Sequence, residues 1–385
     1  RTYAKEGVLL NLSPYTDSKM AGLMAWIGDT NISPYLYQGD LYAIPKNYVN
    51  AIDYININVR QDWLDKLSLK IPTTVQELYD VAYAFANNDP DGNGLADTFG
   101  FSGGKGFYAY DTIANCYDTA LGNYIIVRDG KVTNALLQPG MKDALTWCKK
   151  FVDDKIMDPD CYTTSAANKA IAGQVGMLTL GWHALYKQAY KQQIAEVNPN
   201  AVWVAFGPLA SEVGTEPSLT ALDVCASLGA YCVSADISEE KLDAVFRLID
   251  YIISPEGSNL VYYGLEGVHW SYDAEGKIQM TDRAAEANYT PTYQLNVKFP
   301  EAKTEFEHAM NINRFVVYNS LVEEPDTVYL ADLEDYVNNQ LLAFLYGDRD
   351  IATYDAFVQE LYDIYAFGDY MEAASAQMAA FGYGV

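Results

Sequence analysis

The chain has 385 residues, half of them hydrophobic, which is enough apolar material for two or three domains with sizeable cores. Its formal charge is −26, from 51 acidic and 25 basic residues, and this excess argues against nucleic acid or an anionic membrane surface as a partner. It contains no window of 18 uncharged apolar residues, so no transmembrane helix is predicted.

The first segment is too short to form a domain by itself. Residues 1–54 contain a predicted short helix, a loop and a strand that ends at Pro45. The opening sequence RTYAKEGVLL has no basic region followed by an apolar run, so it does not predict a signal peptide. The five cysteines lack a CxxC spacing and are expected to be reduced and mostly buried.

A strand and a capped helix come next. The alternation of apolar residues over 55–59 has the period of a half-buried strand. Pro72, Thr74 and Glu77 then mark a helix start with a capping box, and apolar residues recur at helical spacing through Phe85. This apolar face is expected to belong to the core.

The loop after this helix has the spacing of a calcium-binding loop. Side-chain oxygens fall at its positions one, three, five and nine, and a backbone carbonyl falls at position seven. Gly94 stands at position six, where the sharp turn needs a residue without Cβ. The predicted calcium ligands are Asp89, Asp91, Asn93, Leu95 and Asp97.

The calcium pattern is incomplete at position twelve. An EF-hand supplies a bidentate Glu there, whereas this chain has Gly100. The last ligand would come from elsewhere in the protein or from water. A solvated turn rich in Asp, Asn and Gly is the alternative interpretation. In either case the loop is expected to be structural.

Helices and strands alternate through the rest of the chain, which predicts an α/β architecture. The predicted helices start at Pro139, Ser238 and Ser254 or cover residues 165–172, 333–344 and 354–364. The predicted strands cover residues 175–182 and 202–206, and the stretch 218–235 is strand-like.

Enzyme signatures are weak. Residues 100–104, GFSGG, match the nucleophile-elbow pattern, but a strand before the serine and a helix after it are not predicted there. The three histidines, His183, His269 and His308, have no metal-binding spacing. The many carboxylates leave a glycosidase pair open without singling one out.

Several segments, in order along nearly the whole chain, carry a family resemblance. They are LYAIP at 41–45, INVRQDWLDKLSLKIPTTVQELYDVAYAF at 57–85, DPDGNGLADTFGF at 89–101, VGMLTLGW at 175–182, ISPEG at 253–257, YGLEGVHWSYDAEGK at 263–277 and YDAFVQELYDI at 354–364. Together they resemble the extracellular solute-binding protein family 1 of bacterial ABC importers, particularly the oligosaccharide-binding lipoproteins of Gram-positive bacteria.

The resemblance implies a periplasmic-binding-protein fold of a type II-like kind, with two α/β lobes, a hinge, a ligand cleft and a helical C-terminal tail. Residues 1–54 and 230–300 would form the N-lobe, and residues 58–224 and 301–385 the C-lobe. Residues 55–57 and 225–229 would be the hinge crossovers. Such families begin with a lipoprotein cysteine and an opening βαβ unit, so Arg1 is expected to follow that unit.

The resemblance also implies a set of ligand contacts. Trp182 matches the tryptophan that stacks on a sugar ring in this family, with a core tryptophan as the alternative. Glu266, His269 and Trp270 lie in a glycine-flanked loop that either faces the cleft or forms a structural turn. The further expected contacts are Asn47, Tyr48, Arg60, Asp62, Tyr108, Tyr110 and Asp111.

The implied function is that of a non-enzymatic receptor. It would be an extracellular, lipid-anchored monomer that binds structural calcium, captures an oligosaccharide and delivers it to ABC permease subunits. The 32 tyrosines and 6 tryptophans suit sugar faces as well as ordinary cores. The alternatives are a receptor of the same fold for a peptide or other small solute, a secreted glycosidase, and a sugar-binding adhesion module.

Overall fold

The computed structural model describes residues 2–27, 32, 35–45, 55–182, 184–186, 188–223, 230–276, 278–286 and 303–384. By its internal contacts the chain divides into two compact units, each built from two chain segments. Unit 1 comprises Arg1–Asp53 and Cys225–Pro300, and unit 2 comprises Tyr54–Val224 and Glu301–Val385.

The described elements are numbered here in chain order. The helices are α1 (Thr2–Lys5), α2 (Ala21–Ile27), α3 (Gln61–Leu67), α4 (Val75–Asn87), α5 (Tyr108–Ala114), α6 (Met141–Asp153), α7 (Ala166–Ile171), α8 (Gln188–Val197), α9 (Glu239–Ile253), α10 (Pro255–Tyr263), α11 (Lys303–Asn311), α12 (Leu330–Tyr346), α13 (Tyr354–Ile364) and α14 (Phe367–Ala379). The strands are β1 (Leu36–Tyr37), β2 (Asp40–Leu41), β3 (Ala43–Pro45), β4 (Ile55–Arg60), β5 (Phe99–Ser102), β6 (Ile125–Arg128), β7 (Lys131–Asn134), β8 (Val175–Gly181), β9 (Trp203–Phe206), β10 (Leu219–Asp223), β11 (Ala230–Cys232), β12 (Trp270–Tyr272), β13 (Ile278–Met280) and β14 (Arg314–Val317).

Unit 1 is held together by contacts between its two chain segments. Strands β3 and β11 pair antiparallel, with Ile44 opposite Tyr231. The core beneath them takes residues from both segments, which explains why the first segment cannot bury a core alone. The buried members are Leu12, Met20, Leu23, Ile27, Leu41, Ile44, Val233, Leu242 and Phe246.

A four-stranded sheet forms the centre of unit 2, in the order β5-β8-β4-β9. Strand β8 runs parallel to β5, and β4 runs antiparallel to both β8 and β9. Ile57 therefore lies between Thr179 and Phe206. Elsewhere in unit 2, β10 pairs parallel with β14, and β6 and β7 form a hairpin.

Strand β4 is buried more fully than its alternating pattern predicts. Asn56 and Asn58 occupy the positions expected to face solvent, yet both are buried. The reason is that helices cover both faces of the sheet: a second apolar cluster contains residues of α7 and α8 together with Leu178, which lies opposite Asn58. The half-buried expectation was therefore wrong for this strand.

The predicted capping of α4 is confirmed, with a shift of one residue. Thr74 Oγ1 accepts a hydrogen bond from Glu77 N at 3.2 Å. The Glu77 carboxylate, however, accepts from Thr73 N at 2.8 Å and from the Thr73 hydroxyl at 2.7 Å, rather than from Thr74 N. Glu77 N, an orphan donor of the first turn, is thus capped, and the Glu77 side chain satisfies Thr73 N just before the helix.

The C-terminal helices complete the main core of unit 2. Phe344 of α12 packs edge-on against Phe357 of α13, with ring centroids 5.7 Å apart, and both are fully buried with the apolar faces of the sheet and of α4 and α6. The predicted helical tail is thus present. Among the described residues no helix has the length and apolar character needed to cross a membrane.

Two other sequence predictions need correction or fall outside the description. The helix predicted from Pro139 begins at Met141, after Gly140, whose Cα lies so close to Tyr117 that a Cβ would stand 2.2 Å from the Tyr117 carbonyl oxygen. Residues 225–229, one of the expected hinge crossovers, lie outside the described residues. The other, residues 55–57, forms the start of β4.

Close packing of α4 on β8 generates a stability prediction. A Cβ on Gly176 would stand 2.0 Å from the Phe85 ring, so Gly176→Ala is expected to lower the free energy of unfolding by about 1–3 kcal/mol. Gly368→Ala, within α14, is the matched control, because a Cβ there would stand 3.6 Å from its nearest neighbour, the Tyr362 ring. It is expected to raise the free energy of unfolding by about 0.4–1 kcal/mol. Urea unfolding measures both. Equal midpoints for the two variants would contradict the predicted packing.

Candidate ligand-binding edge

The register of the central sheet brings the ends of several strands to one edge of unit 2. Strands β5, β8 and β9 all end at this edge, and antiparallel β4 begins there, with Ile55 opposite Gly181. Open α/β sheets bind ligands outside the carboxyl ends of their strands. We call this part of unit 2 the carboxyl edge and consider it the candidate site.

Glycines bring backbone and side chains unusually close together at the carboxyl edge. A Cβ on Gly103 would stand 2.7 Å from both Ala109 N and Thr179 Oγ1. One residue on, a Cβ on Gly104 would stand 3.2 Å from the Tyr108 ring. The glycine-rich exit from β5 therefore places the Tyr108 ring, which is 39% exposed, over bare backbone at this edge. An exposed ring there is suited to stacking on a sugar face.

Three buried polar residues near this edge carry an oxygen without a hydrogen-bond partner. Asn56 Nδ2 donates to the Glu305 carbonyl at 3.0 Å, but Asn56 Oδ1 and Glu305 Oε2 accept nothing. Thr179 Oγ1 is also unpartnered. Unsatisfied buried polar atoms are uncommon in native proteins and need a physical reason.

Sequence reasoning missed these three residues. The two asparagines within the otherwise apolar ININV run were a usable signal, because a buried strand rarely carries amide side chains without a purpose. Thr179 and Glu305 gave no local signal, because their burial depends on the packing of distant segments.

Trp182 follows β8 directly, at the carboxyl edge. Its side chain is only 2% exposed. A sugar ring can stack on this indole only after neighbouring groups have moved aside, so its stacking role stays a prediction.

The expected unit 1 contacts lie in a loop whose polar groups hold the turn together. Trp270 Nε1 donates to the Gly264 carbonyl at 2.9 Å, and its ring packs edge-on against Tyr272. His269 Nδ1 accepts from Leu265 N at 2.9 Å, whereas Glu266 is exposed. This geometry is that of the structural turn, and ligand contacts from the loop stay a prediction. Asn47 and Tyr48 lie outside the described residues.

Arg60 and Asp62 satisfy each other at the far end of β4. The buried guanidinium donates to both carboxylate oxygens, at 2.8 and 2.5 Å, and lies 4.5 Å from the centroid of the Trp63 ring. Asp62 also accepts from Val202 N at 3.1 Å. The pair thus links the start of α3 to the segment before β9, which is a structural arrangement.

Of the three expected contacts on α5, two face the interior of unit 2. The Tyr110 hydroxyl lies 3.5 Å from that of Tyr346 and 3.4 Å from Cys161 Sγ, and its ring is fully buried. The buried Asp111 carboxylate accepts from Leu121 N at 2.7 Å, and burial raises its pKa to about 7. Only Tyr108 is exposed at the carboxyl edge.

The acidic loop adopts the turns of a calcium loop without assembling a cage. Asp89 accepts from Gly92 N at 2.9 Å and from Gly94 N at 3.1 Å. The Asn93 amide nitrogen donates to Asp91 at 2.8 Å and to Asp97 at 3.2 Å, so an N–H donor bridges these carboxylates. Burial raises the pKa of Asp91, and the charges of Asp89 and Asp97 raise it further.

The oxygen set of this loop fits calcium in chemistry but not in arrangement. Carboxylate, amide and carbonyl oxygens are the ligands that this cation takes. Within the described part of the chain, however, no three acidic, histidine or cysteine side chains come close enough to hold a metal ion. A rotation of the Asn93 amide by about 180° would turn its oxygen instead of its nitrogen toward the two carboxylates.

The nucleophile-elbow pattern has a different explanation. Ser102 is the last residue of β5 and is buried, and its hydroxyl donates to Asp158 Oδ2 at 2.8 Å. An elbow serine would instead be exposed on a sharp strand-to-helix turn.

A family model described as bacterial extracellular solute-binding protein matches residues 1–267 of the 385. The chain belongs to this family. The resemblance drawn from the sequence segments is thereby confirmed.

Two relatives of this solute-binding protein come from Bacillus subtilis. The polygalacturonan/rhamnogalacturonan-binding protein YtcQ is 28% identical over 254 residues, which are 60% of this chain but only 46% of YtcQ. Lipoprotein LipO is 23% identical over 383 residues, 92% of this chain and 74% of LipO. The chain thus spans less than half of the first of these relatives.

Solved structures show the same fold at low identity. The alginate-binding protein AlgQ2, without calcium ion, has a TM-score of 0.75 at 16% identity. The match covers 97% of this chain and 83% of the AlgQ2 chain. The Streptococcus pneumoniae substrate-binding protein FusA, in complex with kestose, has a TM-score of 0.71 at 16% identity. The match covers 99% of this chain and 85% of the FusA chain. The expected solute-binding fold is confirmed.

Burial of Asp111 predicts a pH-dependent stability of this solute-binding protein. Between about pH 4 and pH 7 the folded state holds a proton that the unfolded chain has lost, so the free energy of unfolding falls as pH rises through this window. Asp111→Asn keeps an acceptor for Leu121 N and carries no charge. We expect it to exceed the wild type by roughly 2–4 kcal/mol at pH 8 and to differ little near pH 4.

Urea unfolding at both pH values measures this difference. Asp80→Asn, at an exposed position on α4, controls for the loss of one carboxylate. If Asp111→Asn is no more stable than the wild type at pH 8, burial does not raise the pKa of Asp111 in the folded protein.

Proposed function

We propose that this protein is the substrate-binding component of an ABC importer, which captures an oligosaccharide outside the cell and delivers it to the permease subunits. The family match carries the proposal. The names of two relatives specify sugars: polygalacturonan and rhamnogalacturonan for YtcQ and fructooligosaccharide for FusA.

The division of the chain into two compact units supports this proposal, because a receptor of this kind has two lobes. We assign residues 1–54 and 230–300 to an N-lobe and residues 58–224 and 301–385 to a C-lobe, with crossovers at 55–57 and 225–229 acting as the hinge. Ligand binding would then favour a closed form, because the ligand binds that form more tightly than the open one. The closed form is the one that the permease would recognise.

The proposed C-lobe contacts are Tyr108 and Trp182 at the carboxyl edge. Aromatic rings offer an apolar face to the C–H groups of a sugar. Tyr108 is the more informative of the two for experiment, because truncation of the buried Trp182 would cost about 3–5 kcal/mol of stability whatever its role.

A thermal-shift screen of the purified chain against neutral and acidic oligosaccharides, amino acids and peptides tests the function. We expect at least one oligosaccharide to raise the melting temperature and to be recovered intact after incubation. A shift given only by peptides or amino acids would indicate a receptor for another solute, and cleavage products would indicate a glycosidase.

The same screen tests the proposed edge. Tyr108→Ala is expected to weaken saccharide binding about tenfold or more, and to lower the melting temperature of the free protein less than truncation of the buried Trp182, because Tyr108 is 39% exposed. Tyr83→Ala, which removes another exposed ring from unit 2, on α4, is the control and is expected to leave affinity unchanged. Equal affinities of the two variants would remove Tyr108 from the site.

We also propose that the acidic loop binds structural calcium through Asp89, Asp91, Asn93, Leu95 and Asp97. The spacing of oxygen donors supports a cation there. Burial first, and then the neighbouring carboxylates of Asp89 and Asp97, raise the pKa of Asp91, and a bound cation would offset both effects. One solved relative structure is described as an EF-hand mutant of FusA, and AlgQ2 is described without calcium ion.

Asp91→Ala is expected to lower the melting temperature only when calcium is present, because calcium stabilises only a folded state that binds it. The comparison is made in millimolar calcium and in chelator. Asp65→Ala, which removes an exposed acid from α3, is the control. If Asp91→Ala and the wild type melted alike in both conditions, the loop would be a solvated turn.

The remaining assignments follow from the same proposal. The family is extracellular, and LipO is named as a lipoprotein. We infer that this protein also acts at the cell surface through a lipid anchor, as a monomer.

A further inference from the structure

We propose that unit 2 carries a second binding site, which takes a small aromatic molecule with a carboxylate group. The site is a cavity of about 340 Å³ between β5, the end of α6 and the end of α12. This volume lies at the lower end of the range for ligand pockets, which suits one ring with a short side chain. The cavity is lined by Phe99, Tyr110, Val152, Met157 and Tyr346, with Lys155 among its exposed lining residues.

The cavity is separate from the carboxyl edge. Phe99 is the first residue of β5, whereas Ser102, the last residue of that strand, lies at the carboxyl edge. Phe99 pairs with Val175, the first residue of β8, so both lie toward the opposite end of the sheet. Neither Tyr108 nor Trp182 lines the cavity. The second site therefore goes beyond the proposed function, and either site could fail without the other.

A ligand can reach the rings of this cavity from solvent. The Tyr346 side chain is 43% exposed, and Phe99 is partly exposed. Aromatic ligands pack well on such rings, edge-on or offset. The accessible lining is almost entirely apolar, so a saccharide would leave its hydroxyl groups without partners, which is costly.

The Tyr346 hydroxyl can offer a hydrogen bond to the ligand, because its present contacts are long. It lies 3.4 Å from the Pro159 carbonyl oxygen and 3.5 Å from the Tyr110 hydroxyl. Hydroxyl donors usually lie within about 3.0 Å of an oxygen acceptor. Burial raises the pKa of Tyr346, so its hydroxyl stays protonated at neutral pH. A ligand oxygen could therefore accept a shorter bond from it.

The charges at the cavity favour an anionic ligand over a cationic one. Asp158 lines the cavity, but its two oxygens already accept from the Ser102 hydroxyl at 2.8 Å and from Asp160 N at 3.1 Å. Lys169 Nζ lies 3.5 Å from Asp158 and balances its charge. Lys155 is exposed and takes part in no ion pair among the described residues. A ligand carboxylate could pair with Lys155, whereas a ligand ammonium would be repelled by it.

An NMR titration of the full chain with phenylacetate, phenylacetamide and cyclohexylacetate tests the ligand class. Phenylacetamide keeps the ring without the charge, and cyclohexylacetate keeps the charge without the aromatic ring. We expect phenylacetate to bind with a Kd below about 1 mM and at least about threefold more tightly than either analogue, because an exposed ion pair and ring packing each contribute modestly. Equal binding of either analogue, or no binding of phenylacetate at about 10 mM, would overturn the inference.

Tyr346→Ala tests the site itself. Loss of the ring and its hydroxyl should weaken phenylacetate binding about tenfold. Tyr362→Ala is the matched control, because it removes a ring that is 42% exposed on α13 and does not line the cavity. Its affinity should stay within about twofold of the wild type. The site assignment fails if the two variants bind phenylacetate equally.

Val152→Phe tests the cavity with Tyr346 left in place. The larger side chain, on the last turn of α6, would occupy part of the cavity and should weaken phenylacetate binding about tenfold. Tyr108→Ala, at the carboxyl edge, should leave the phenylacetate affinity within about twofold of the wild type. If Tyr108→Ala lost phenylacetate binding and Val152→Phe kept it, the molecule would bind at the carboxyl edge and the second site would be ruled out.

Discussion

Pairing of β4 on both of its edges is the constraint on which unit 2 depends. The strand forms backbone hydrogen bonds with β8 on one side and β9 on the other, and helices cover both of its faces. A strand in that position cannot shift its register by one residue without turning all its side chains to the opposite face of the sheet. Its first residues are therefore held at the carboxyl edge, where Ile55 lies opposite Gly181.

Features that a stable core would avoid are found close to that edge. Glycines at 103 and 104 leave backbone uncovered beneath the Tyr108 ring, and buried oxygens of Asn56, Thr179 and Glu305 lack partners. Unpartnered buried atoms also occur within the main core, at Trp63 Nε1 for example, so the close approach of backbone at the two glycines is what distinguishes this edge.

Local patterns predicted the elements well, because they act within a few residues. Side-chain caps at Thr74, Ser238 and Ser254 start helices where expected, and Gly264 ends one in a positive φ. The spacing of apolar residues likewise predicted β8, α12 and α13. Individual ligand contacts were less predictable. Tyr110 and Asp111 are only two and three residues from the exposed Tyr108 ring yet face the interior, because helix periodicity does not specify which face meets the sheet.

The sequence by itself determined the family, those helices and strands whose caps and apolar spacing mark them, and the oxygen donors of the acidic loop, because each is written in residue types at short spacing. Tertiary structure alone decided that β4 is covered on both faces, that Trp182 is buried, and that Asn56 lies beside Glu305. These facts join residues up to 249 positions apart. Burial and partnership at such separations depend on how the segments pack, which no local pattern specifies.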